Sequence, residues 1–556
     1  MPRLEFSDLR ISYSTIGEAG RGEIKAVDGV SLVLEPGESL GLAGESGCGK
    51  STLALSVLRL LPANATITGQ ILLGDDDITT ATWGRIRAVR WTEAAVVFQG
   101  AMHSLNPVQR VGNQIAEALR IHSIAAYPNS AARQSRVREL LELVDLLPAK
   151  AVSYPHELSG GQKQRIMIAM ALACDPELII ADEPTTALDV IVQDQVLSVL
   201  TGLVRERSLS LIMISHDLSV LAATCVRICV MQAGKIVEQG PSRRVMSKPE
   251  HPHTKALAAA FPLIGDPSSR KRLPGYTAPD APVGAGEPPV GEPKPPGDVV
   301  LEVRDLGVSF ASRAGPVRAV DGVDLSFRRG EIVALVGQSG SGKTTLARTL
   351  LGLERPTRGS VLYQGEPLGT SRKALKAYRR QVQFVLQDPN ASLNPKHSVY
   401  EAVAEGPRIH GLPGDEREIV SNALRQAELT PPEDYFTAIP QELSGGQRQR
   451  VVIAGALALG PEFLVADEPV ASLDASVRGE ILALLLRLKD ELGLGALVIT
   501  HDLGLAWNIA DRVVVMREGR IVERGSVEEV LLSPQHEYTK KLLSVVPSAA
   551  IGGAHA

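Results

Sequence analysis

A glycine-rich loop with the pattern G-x-x-x-x-G-K-[ST] occurs twice in this chain, as GESGCGKST at residues 44–52 and as GQSGSGKTT at residues 337–345. Each copy follows an apolar run that predicts a β-strand and precedes a segment with helical spacing. In such a strand–loop–helix unit, the glycines let backbone N–H groups surround an anion, which also faces the positive end of the helix. The sequence therefore predicts two phosphate-binding domains.

The residue types in each loop indicate a nucleoside triphosphate with Mg²⁺ as the ligand. Lys50 and Lys343 would reach the β and γ phosphates, and the hydroxyls of Ser51 and Thr344 would bind Mg²⁺. The other loop residues expected to surround the phosphates are Gly44, Ser46, Gly47, Cys48, Gly49 and Thr52 in the first copy, and Gly337, Ser339, Gly340, Ser341, Gly342 and Thr345 in the second.

The similarity between the two halves extends far beyond these loops. AVDGVSLVLEPGE pairs with AVDGVDLSFRRGE, and HELSGGQKQRIMIAMALA pairs with QELSGGQRQRVVIAGALA. Corresponding residues keep a nearly constant separation, so only small insertions distinguish the copies. The chain of 556 residues, too long for a single core, is a tandem duplication.

A Pro- and Gly-rich segment without hydrophobic periodicity separates the copies and predicts a flexible linker. Within each copy, β-rich runs alternate with helical ones, as in an α/β sheet, except for one stretch where helical spacing predominates. We expect a first domain at 1–264 with a helical insert at about 100–157, a linker at 265–298, a second domain at 299–547 with an insert at about 388–442, and a tail at 548–556.

Composition restricts the function classes. The net charge of −5 and the pI near 6.2 argue against a broad nucleic-acid surface, so no nucleic-acid partner is expected. The four cysteines show no CxxC pair, which predicts neither zinc nor disulfides and indicates a reducing compartment. No secretory signal and no run of about 20 apolar residues is present, so we expect a soluble or membrane-peripheral protein.

The motif LSGGQ, at 158–162 and 443–447, comes shortly before an apolar run in each copy. In each copy this motif follows the phosphate-binding loop, and in this order the two motifs resemble those of the ATP-binding-cassette (ABC) ATPases. The resemblance covers nearly the full length of both copies. Read from its residues alone, the motif has an alternative interpretation as an ordinary serine cap at the start of a helix.

In that family, the LSGGQ signature of one cassette closes over the γ-phosphate held by the loop of the other. The resemblance implies that the two halves pair within one chain to form two composite sites. One would combine Lys50 and Ser51 with the second signature, and the other would combine Lys343 and Thr344 with the first. The signature residues implied are Ser159, Gly160, Gly161 and Gln162, and Ser444, Gly445, Gly446 and Gln447.

Two adjacent carboxylates end the apolar runs LIIADE and FLVADE. Asp182 and Asp467 would bind Mg²⁺ or its water, and Glu183 and Glu468 would polarise the attacking water. A solvated acidic turn is the alternative. Because neither copy lacks these groups, we expect both sites to hydrolyse ATP.

Further site residues are implied by the resemblance. The switch histidines would be His216 and His501, although a histidine at a strand end can also be structural. Tyr13 and Phe310 would stack on adenine or, alternatively, belong to the core. The glutamines that touch Mg²⁺ beside the groove for the membrane partner would be Gln99 and Gln387, and the aspartates at the seam between the halves would be Asp189 and Asp474.

The segments PEHPHTKALAAAFP at 249–262 and PQHEYTKKLLSVVP at 534–547, together with SLNP in each copy, resemble ATPase subunits of peptide and nickel importers. Each tail could otherwise be a simple amphipathic helix. The resemblance implies an ATPase that powers uptake of peptides or a related small solute. Its partners would be two transmembrane permeases and an extracytoplasmic solute-binding protein, and it would lie at the cytoplasmic face of the inner membrane.

Two departures accompany this interpretation. The cysteine cluster that many such ATPases carry after the tail is missing, so no iron–sulfur cluster is expected. Cys48 lies in the loop before a helix and is best interpreted as a small neutral filler, although the helix dipole could favour a thiolate there. A soluble twin-cassette ATPase acting on ribosomes or DNA is the other function considered. The Pro-rich connector and the missing CxxC pairs argue against it.

Overall fold

The computed structural model describes residues 2–17, 20–98, 100, 104–122, 124–186, 188–259, 264–266, 270–271, 273, 276, 297–311, 315–471 and 473–546. The chain divides into two compact units, Met1–Phe261 and Pro262–Ala556. Both units contain α/β sheets and a helical insert, which confirms the predicted fold class. Gln99 and the tail at 548–556 lie outside the described residues.

The strands of the first unit are β1 (Leu4–Gly17), β2 (Gly20–Leu34), β3 (Ser39–Ala43), β4 (Ala65–Leu73), β5 (Asp76–Asp77), β6 (Ala94–Val97), β7 (Leu178–Asp182), β8 (Ser210–Ile214), β9 (Arg227–Gln232) and β10 (Lys235–Pro241). They form a four-stranded sheet with the order β2-β1-β4-β5 and a six-stranded sheet with the order β10-β9-β3-β8-β7-β6. Pairing in the larger sheet is parallel except between β9 and β10.

The larger sheet positions the site. Every residue of β3, β7 and β8 is buried, as expected for parallel strands that are covered on both faces and read as nearly continuous apolar runs. Strand β3 leads into the phosphate-binding loop, and β7 ends at Asp182. Because neighbouring parallel strands end at the same edge of a sheet, the loop and the acidic pair are brought together there.

The helices of the first unit are α1 (Lys50–Ser56), α2 (Trp83–Val89), α3 (Val111–Ile121), α4 (Ser130–Leu143), α5 (Gly160–Ala171), α6 (Val190–Glu206), α7 (Leu218–Thr224), α8 (Ser242–Ser247) and α9 (Pro252–Ala259), with 3₁₀ turns at Pro148–Val152 and Pro155–Glu157. Helices α3 and α4 lie within the predicted insert, whose described residues include no strand.

The second unit repeats this plan. Its strands are β11 (Val299–Phe310), β12 (Val317–Arg328), β13 (Ile332–Val336), β14 (Arg358–Tyr363), β15 (Glu366–Pro367), β16 (Val382–Val385), β17 (Phe463–Asp467), β18 (Gly495–Thr500), β19 (Arg512–Arg517) and β20 (Arg520–Ser526). The sheet orders are β12-β11-β14-β15 and β16-β17-β18-β13-β19-β20, the same orders as in the first unit.

The helices of the second unit are α10 (Lys343–Leu350), α11 (Arg372–Gln381), α12 (Pro389–Ser392), α13 (Val399–His410), α14 (Glu416–Gln426), α15 (Gly445–Leu457), α16 (Ala475–Leu492), α17 (Leu503–Ile509), α18 (Val527–Leu532) and α19 (Glu537–Ser544), with 3₁₀ turns at Pro432–Tyr435 and Pro440–Glu442. Helices of the insert pack against α15 in a small core that includes Val403, Leu424 and Val451. None of the helices within the described ranges is both long enough and apolar enough to span a membrane.

Part of the linker packs against the second unit. The backbone N–H of Lys271 donates to the carbonyl oxygen of Asn508 at 3.1 Å, and the Lys271 ammonium lies 3.3 Å from Asp511. The Arg270 guanidinium lies over the Trp507 ring at 5.8 Å. We call residues 270, 271, 273 and 276 the strap. The linker composition did not predict this docking.

The residues that contact the strap are not repeated in the first copy. Trp507, Asp511 and Asp490, which accepts a hydrogen bond from the Tyr276 hydroxyl at 2.5 Å, all contact the strap. At the corresponding positions of the first copy the sequence has Ala222, Val226 and Arg205. The aromatic ring and both carboxylates that receive the strap are therefore found only in the second unit.

We expect Asp511→Asn to destabilise the second unit by about 2 kcal/mol at neutral pH, because it removes the charged acceptor of hydrogen bonds from Lys489 and the backbone N–H of Ile332. Burial alone would raise the pKa of Asp511, but Lys489, Lys271 and the backbone N–H of Ile332 hold it below the usual value. The stabilisation should therefore be complete above the unfolded pKa of about 3.9 and be lost as the pH falls through the lower folded pKa.

Thermal unfolding of the full chain between pH 3 and pH 7 would measure this effect. Asp490→Asn, which changes a carboxylate at the exposed edge of the strap, is the matched control and should cost no more than about 1 kcal/mol. Equal effects of the two substitutions would contradict the assignment.

Candidate nucleotide site

The phosphate-binding loop of the first unit follows β3 and ends at α1. Gly49 has φ +102°, and a Cβ atom there would lie 2.1 Å from the carbonyl oxygen of Ala26, so only glycine fits. The ammonium of Lys50 is buried and donates to the carbonyl oxygens of Gly44 at 2.8 Å and Glu45 at 2.7 Å. A Cβ atom at Gly47 would meet nothing within 4 Å, so open space lies above the loop.

The second loop repeats these features. Gly342 has φ +103°, and a Cβ atom there would lie 2.1 Å from the Ala319 carbonyl oxygen. The buried ammonium of Lys343 donates to Gly337 at 2.7 Å and Gln338 at 2.8 Å. Both loops therefore form an open backbone cradle with a lysine at its base, the geometry that suits a polyphosphate.

A hydroxyl and a carboxylate meet beside each loop. Ser51 donates to Asp182 at 3.0 Å, and Thr344 donates to Asp467 at 3.2 Å. Burial raises the pKa of both aspartates, while the hydroxyl hydrogen bonds act in the opposite direction. Oxygen ligands of this kind fit Mg²⁺, which takes one or two protein oxygens and completes its shell with phosphates and water.

The glutamate that follows each aspartate has a strained backbone. Glu183 has φ +44° and Glu468 has φ +47°, in the left-handed region that non-glycine residues rarely adopt. Backbone hydrogen bonds hold both residues, since Glu183 donates to Ile214 at 3.1 Å and Glu468 donates to Ile499 at 2.9 Å. Such strain, maintained by the surrounding structure, is typical of functional positions.

A histidine approaches each of these glutamates. Nδ1 of His216 lies 3.2 Å from Glu183, and Nδ1 of His501 lies 2.9 Å from Glu468. Burial alone would raise the pKa of both glutamates, but the histidine hydrogen bonds lower it. Each site thus contains an aspartate with a raised pKa next to a glutamate with a lowered pKa.

Each glutamate has a further side-chain contact. The Thr186 hydroxyl donates to Glu183 at 2.8 Å, and the Gln387 amide donates to Glu468 at 2.8 Å. Thr186 is replaced by Ala471 in the second copy. The Thr186 contact was missed from the sequence, where only this difference between the copies marks the position.

The signature serines act as helix caps. Ser159 accepts from the Gln162 N–H at 3.3 Å, and the Gln162 side chain accepts from the Ser159 N–H at 3.2 Å, which is a capping box at the start of α5. Ser444 and Gln447 form the same box at α15. The serine cap, which was the alternative interpretation of this motif, is therefore present in the structure. Both serines are also exposed.

The second glycine of each signature permits close packing. A Cβ atom at Gly161 would lie 2.2 Å from Val192, and one at Gly446 would lie 2.3 Å from Val477. These glycines therefore let α5 approach α6 and let α15 approach α16. Gly160 and Gly445 open the two helices, each directly after its capping serine.

The two candidate adenine aromatics are not core residues. The hydroxyl of half-buried Tyr13 lies 3.2 Å from the Thr52 hydroxyl, at the loop, and the Phe310 side chain is 43% exposed. Asp189 caps α6 by accepting from Val192 at 3.1 Å, and Asp474 directly precedes α16.

The Cys48 side chain is buried in the loop. Burial raises the pKa of this thiol, although the nearby Lys50 ammonium acts in the opposite direction. Burial therefore disfavours the thiolate that a helix dipole would favour. A small neutral filler in the loop is the better interpretation.

Hydrogen bonds thus join the elements of each unit into one site. In each unit, the loop hydroxyl contacts the aspartate, and the histidine contacts the adjacent glutamate. The two signatures instead bond within their own motifs.

Two family models match the chain. The model described as "ABC transporter" matches residues 27–186 and 320–471, and the model described as "Oligopeptide/dipeptide transporter, C-terminal region" matches residues 237–284 and 522–554. The chain belongs to the ABC transporter family. Two ATP-binding cassettes lie in tandem within it, and ATP hydrolysis is their general function.

Similar proteins include the glutathione import ATP-binding protein GsiA of Salmonella choleraesuis (strain SC-B67), which is 40% identical over 98% of this chain and 90% of its own length. The peptidoglycan transport ATP-binding protein YejF of Agrobacterium fabrum (strain C58 / ATCC 33970) is 41% identical over 98% of this chain and 96% of its own. Among solved structures, cbiO1 from Clostridium perfringens, part of the ABC transporter complex cbiONQ, is 34% identical, with a TM-score of 0.39 over 46% of this chain and 98% of that one.

The His501–Glu468 pair of the second cassette should titrate as a unit. Burial alone would lower the pKa of His501, but the hydrogen bond and the charge of Glu468 raise it. In an NMR titration of the full chain we expect the titration midpoint of His501 to lie above the usual histidine pKa of about 6.5. The pair then stabilises the folded state at pH values below the pKa of His501 in the unfolded chain. This stabilisation is lost as the pH rises through the pKa of His501 in the folded state.

Glu468→Gln should lower the His501 midpoint, because only the charge of Asp502 then opposes the effects of burial and Arg478. His410, on α13 near Lys376 and Arg380, serves as the internal control and should not respond to the substitution. An unchanged His501 midpoint in the variant would refute this coupling.

Proposed function

We propose that this chain is the ATP-hydrolysing subunit of a bacterial importer that takes up peptides or a related small solute. The observation that carries this proposal is the transporter-specific C-terminal region, whose model matches both copies. The similarity to proteins named for glutathione import and peptidoglycan transport supports it. Both names refer to a solute that contains peptide bonds, so they favour a solute class rather than one compound.

In the proposed mechanism, each cassette binds ATP through its backbone cradle and lysine. Lys50 and Lys343 exchange their carbonyl partners for the β and γ phosphates, because a phosphate oxygen is a stronger acceptor for an ammonium group than a neutral carbonyl. The remaining loop residues donate backbone N–H groups to the phosphates. Tyr13, next to Thr52 of the loop, and the exposed ring of Phe310 are available to stack on adenine.

The hydroxyl–aspartate pairs, Ser51 with Asp182 and Thr344 with Asp467, would hold Mg²⁺. The ion supplies charge neutralisation at the β and γ phosphates. The raised pKa of each aspartate reflects the cost of a buried carboxylate, a cost that a bound cation would remove. Gln387 contributes a second polar group near this position, and the same role is proposed for Gln99.

Glu183 and Glu468 would orient and polarise the attacking water. Their lowered pKa keeps them ionised at neutral pH, which a proton acceptor requires. The neighbouring imidazoles of His216 and His501 fix the carboxylate orientation and can extend toward the γ-phosphate. Because both cassettes contain the complete set, both should turn over ATP.

Each site would be completed by the signature of the other cassette. Exposed Ser159 and Ser444 use one lone pair as a cap acceptor, which leaves the hydroxyl proton to donate to a phosphate oxygen. Asp189 and Asp474 would lie at the seam between the cassettes. ATP binding would then close the halves and hydrolysis would release them, which moves the partner permeases between two states.

The proposed assembly places the chain at the cytoplasmic face of the inner membrane with two permease subunits and an extracytoplasmic solute-binding protein. ATP and Mg²⁺ are its proposed cofactors, without zinc or an iron–sulfur cluster. Co-purification of the tagged chain from detergent extracts tests this proposal. We expect two integral-membrane chains in equal amounts, and their addition should stimulate ATP hydrolysis. Recovery of ribosomes or DNA instead would support the soluble twin-cassette alternative.

Paired substitutions test whether the sites are composite. Lys50→Ala with Ser444→Arg alters the same proposed site twice, so a photoreactive ATP analogue should still label the second loop. Lys50→Ala with Ser159→Arg alters both proposed sites, and labelling should fall to background at both loops. The two double variants carry the same kinds of change and differ only in which signature is blocked. Equal labelling of the two would contradict the cross-pairing.

A further inference from the structure

The C-terminal helix α19 of the second cassette contacts the phosphate-binding loop. Tyr538, near its start, is only 4% exposed, and its hydroxyl accepts a hydrogen bond of 3.0 Å from the backbone N–H of Gln338. Gln338 is the residue that directly follows the first glycine of the loop. A residue of the transporter-specific tail is therefore bonded to the loop itself.

Several contacts fix the position of this tyrosine. The His536 side chain caps α19 by accepting from the Tyr538 N–H at 3.0 Å. The Glu523 carboxylate accepts the backbone N–H groups of Gln535 at 2.7 Å and of His536 at 3.1 Å. The Arg517 guanidinium lies 5.2 Å from the centre of the Tyr538 ring. The position of the Tyr538 side chain is thus fixed by the cap of α19 and by contacts with residues of β19 and β20.

The peptide group of Gln338 connects the tyrosine to the lysine of the loop. Its carbonyl oxygen accepts from the Lys343 ammonium at 2.8 Å and from the Ser341 N–H at 3.1 Å. The N–H of Gln338 is engaged by Tyr538, and its carbonyl is engaged by Lys343. Loss of the tyrosine hydroxyl would free the N–H end of this segment, where the loop must admit a phosphate.

The first cassette has the same tail architecture but a different contact. His253 occupies the position of Tyr538, and Glu45 that of Gln338. The His251 side chain accepts from the His253 N–H at 3.2 Å, as His536 does in the second copy. Nε2 of His253 is buried and has no hydrogen-bond partner among the described residues. The bond from the loop N–H to the tail is thus seen in the second cassette.

We propose that Tyr538 is a positioning residue that presets the phosphate-binding loop of the second cassette, so that the two nucleotide sites differ in affinity. The proposal rests on the proposed nucleotide site. The tail holds the Gln338 segment in place before nucleotide arrives, which reduces the ordering cost of binding. No such bond joins His253 to the first loop within the described residues, so that loop is ordered only when nucleotide binds.

Tyr538→Phe in the full chain tests the proposal, since it removes the hydroxyl and keeps the ring. Binding at the second loop is isolated by Lys50→Ala, with AMP-PNP and Mg²⁺ as the probe in isothermal titration calorimetry. We expect the Kd to rise about fivefold, the effect of one ordinary hydrogen bond. In the chain without Lys50→Ala, the KM for ATP should rise while kcat stays within about twofold, because the hydroxyl does not touch the reacting atoms.

Tyr400→Phe is the matched control, because its hydroxyl donates to Glu416 in the helical insert at 3.1 Å. It should leave the Kd unchanged. The proposal is wrong if Tyr538→Phe gives the same Kd as this control, or if Kd, kcat and Tm all worsen together as in a general loss of structure. Persistent binding when Lys50 and Lys343 are both replaced by alanine would instead refute the nucleotide site itself.

Discussion

The structure depends on the requirement that a buried ammonium group be surrounded by acceptors. Lys50 and Lys343 are both buried, and each donates to two carbonyl oxygens of its own loop. To present those carbonyls, the backbone must turn back on itself, which is possible only with glycine in left-handed conformations. The loop, the fully buried strand before it and the helix after it all follow from this constraint. An unpaired cation in this position would be too costly for a stable fold.

Much of this arrangement could be predicted from the sequence because it lies in short, local patterns. The loops, the strand-end acids and the histidines are each set by a few adjacent residues, and the parallel sheet then brings them to one edge. The duplication strengthened every one of these interpretations. The family membership and the two-cassette fold were correctly predicted for this reason.

Other features could not be predicted because they depend on contacts between distant residues. The Thr186–Glu183 bond, the Tyr538–Gln338 bond and the docking of the strap follow from tertiary packing. The raised pKa of Cys48 also depends on burial, which the sequence does not reveal and which outweighs a helix dipole. Comparison between the copies was the available signal. Positions where one half differs from the other, such as Trp507 against Ala222, mark where the halves have specialised.

The strap also changes how the linker acts as a tether. A linker of 34 residues, 265–298, would by itself allow the first cassette a large volume in which to diffuse. Because Arg270 is already attached to the second unit, only about ten residues separate it from the end of α9. Shortening a connection about threefold lowers its loop-closure entropy cost by about 1 kcal/mol. The strap, rather than the first residue of β11, is therefore the point at which the second unit holds the connection.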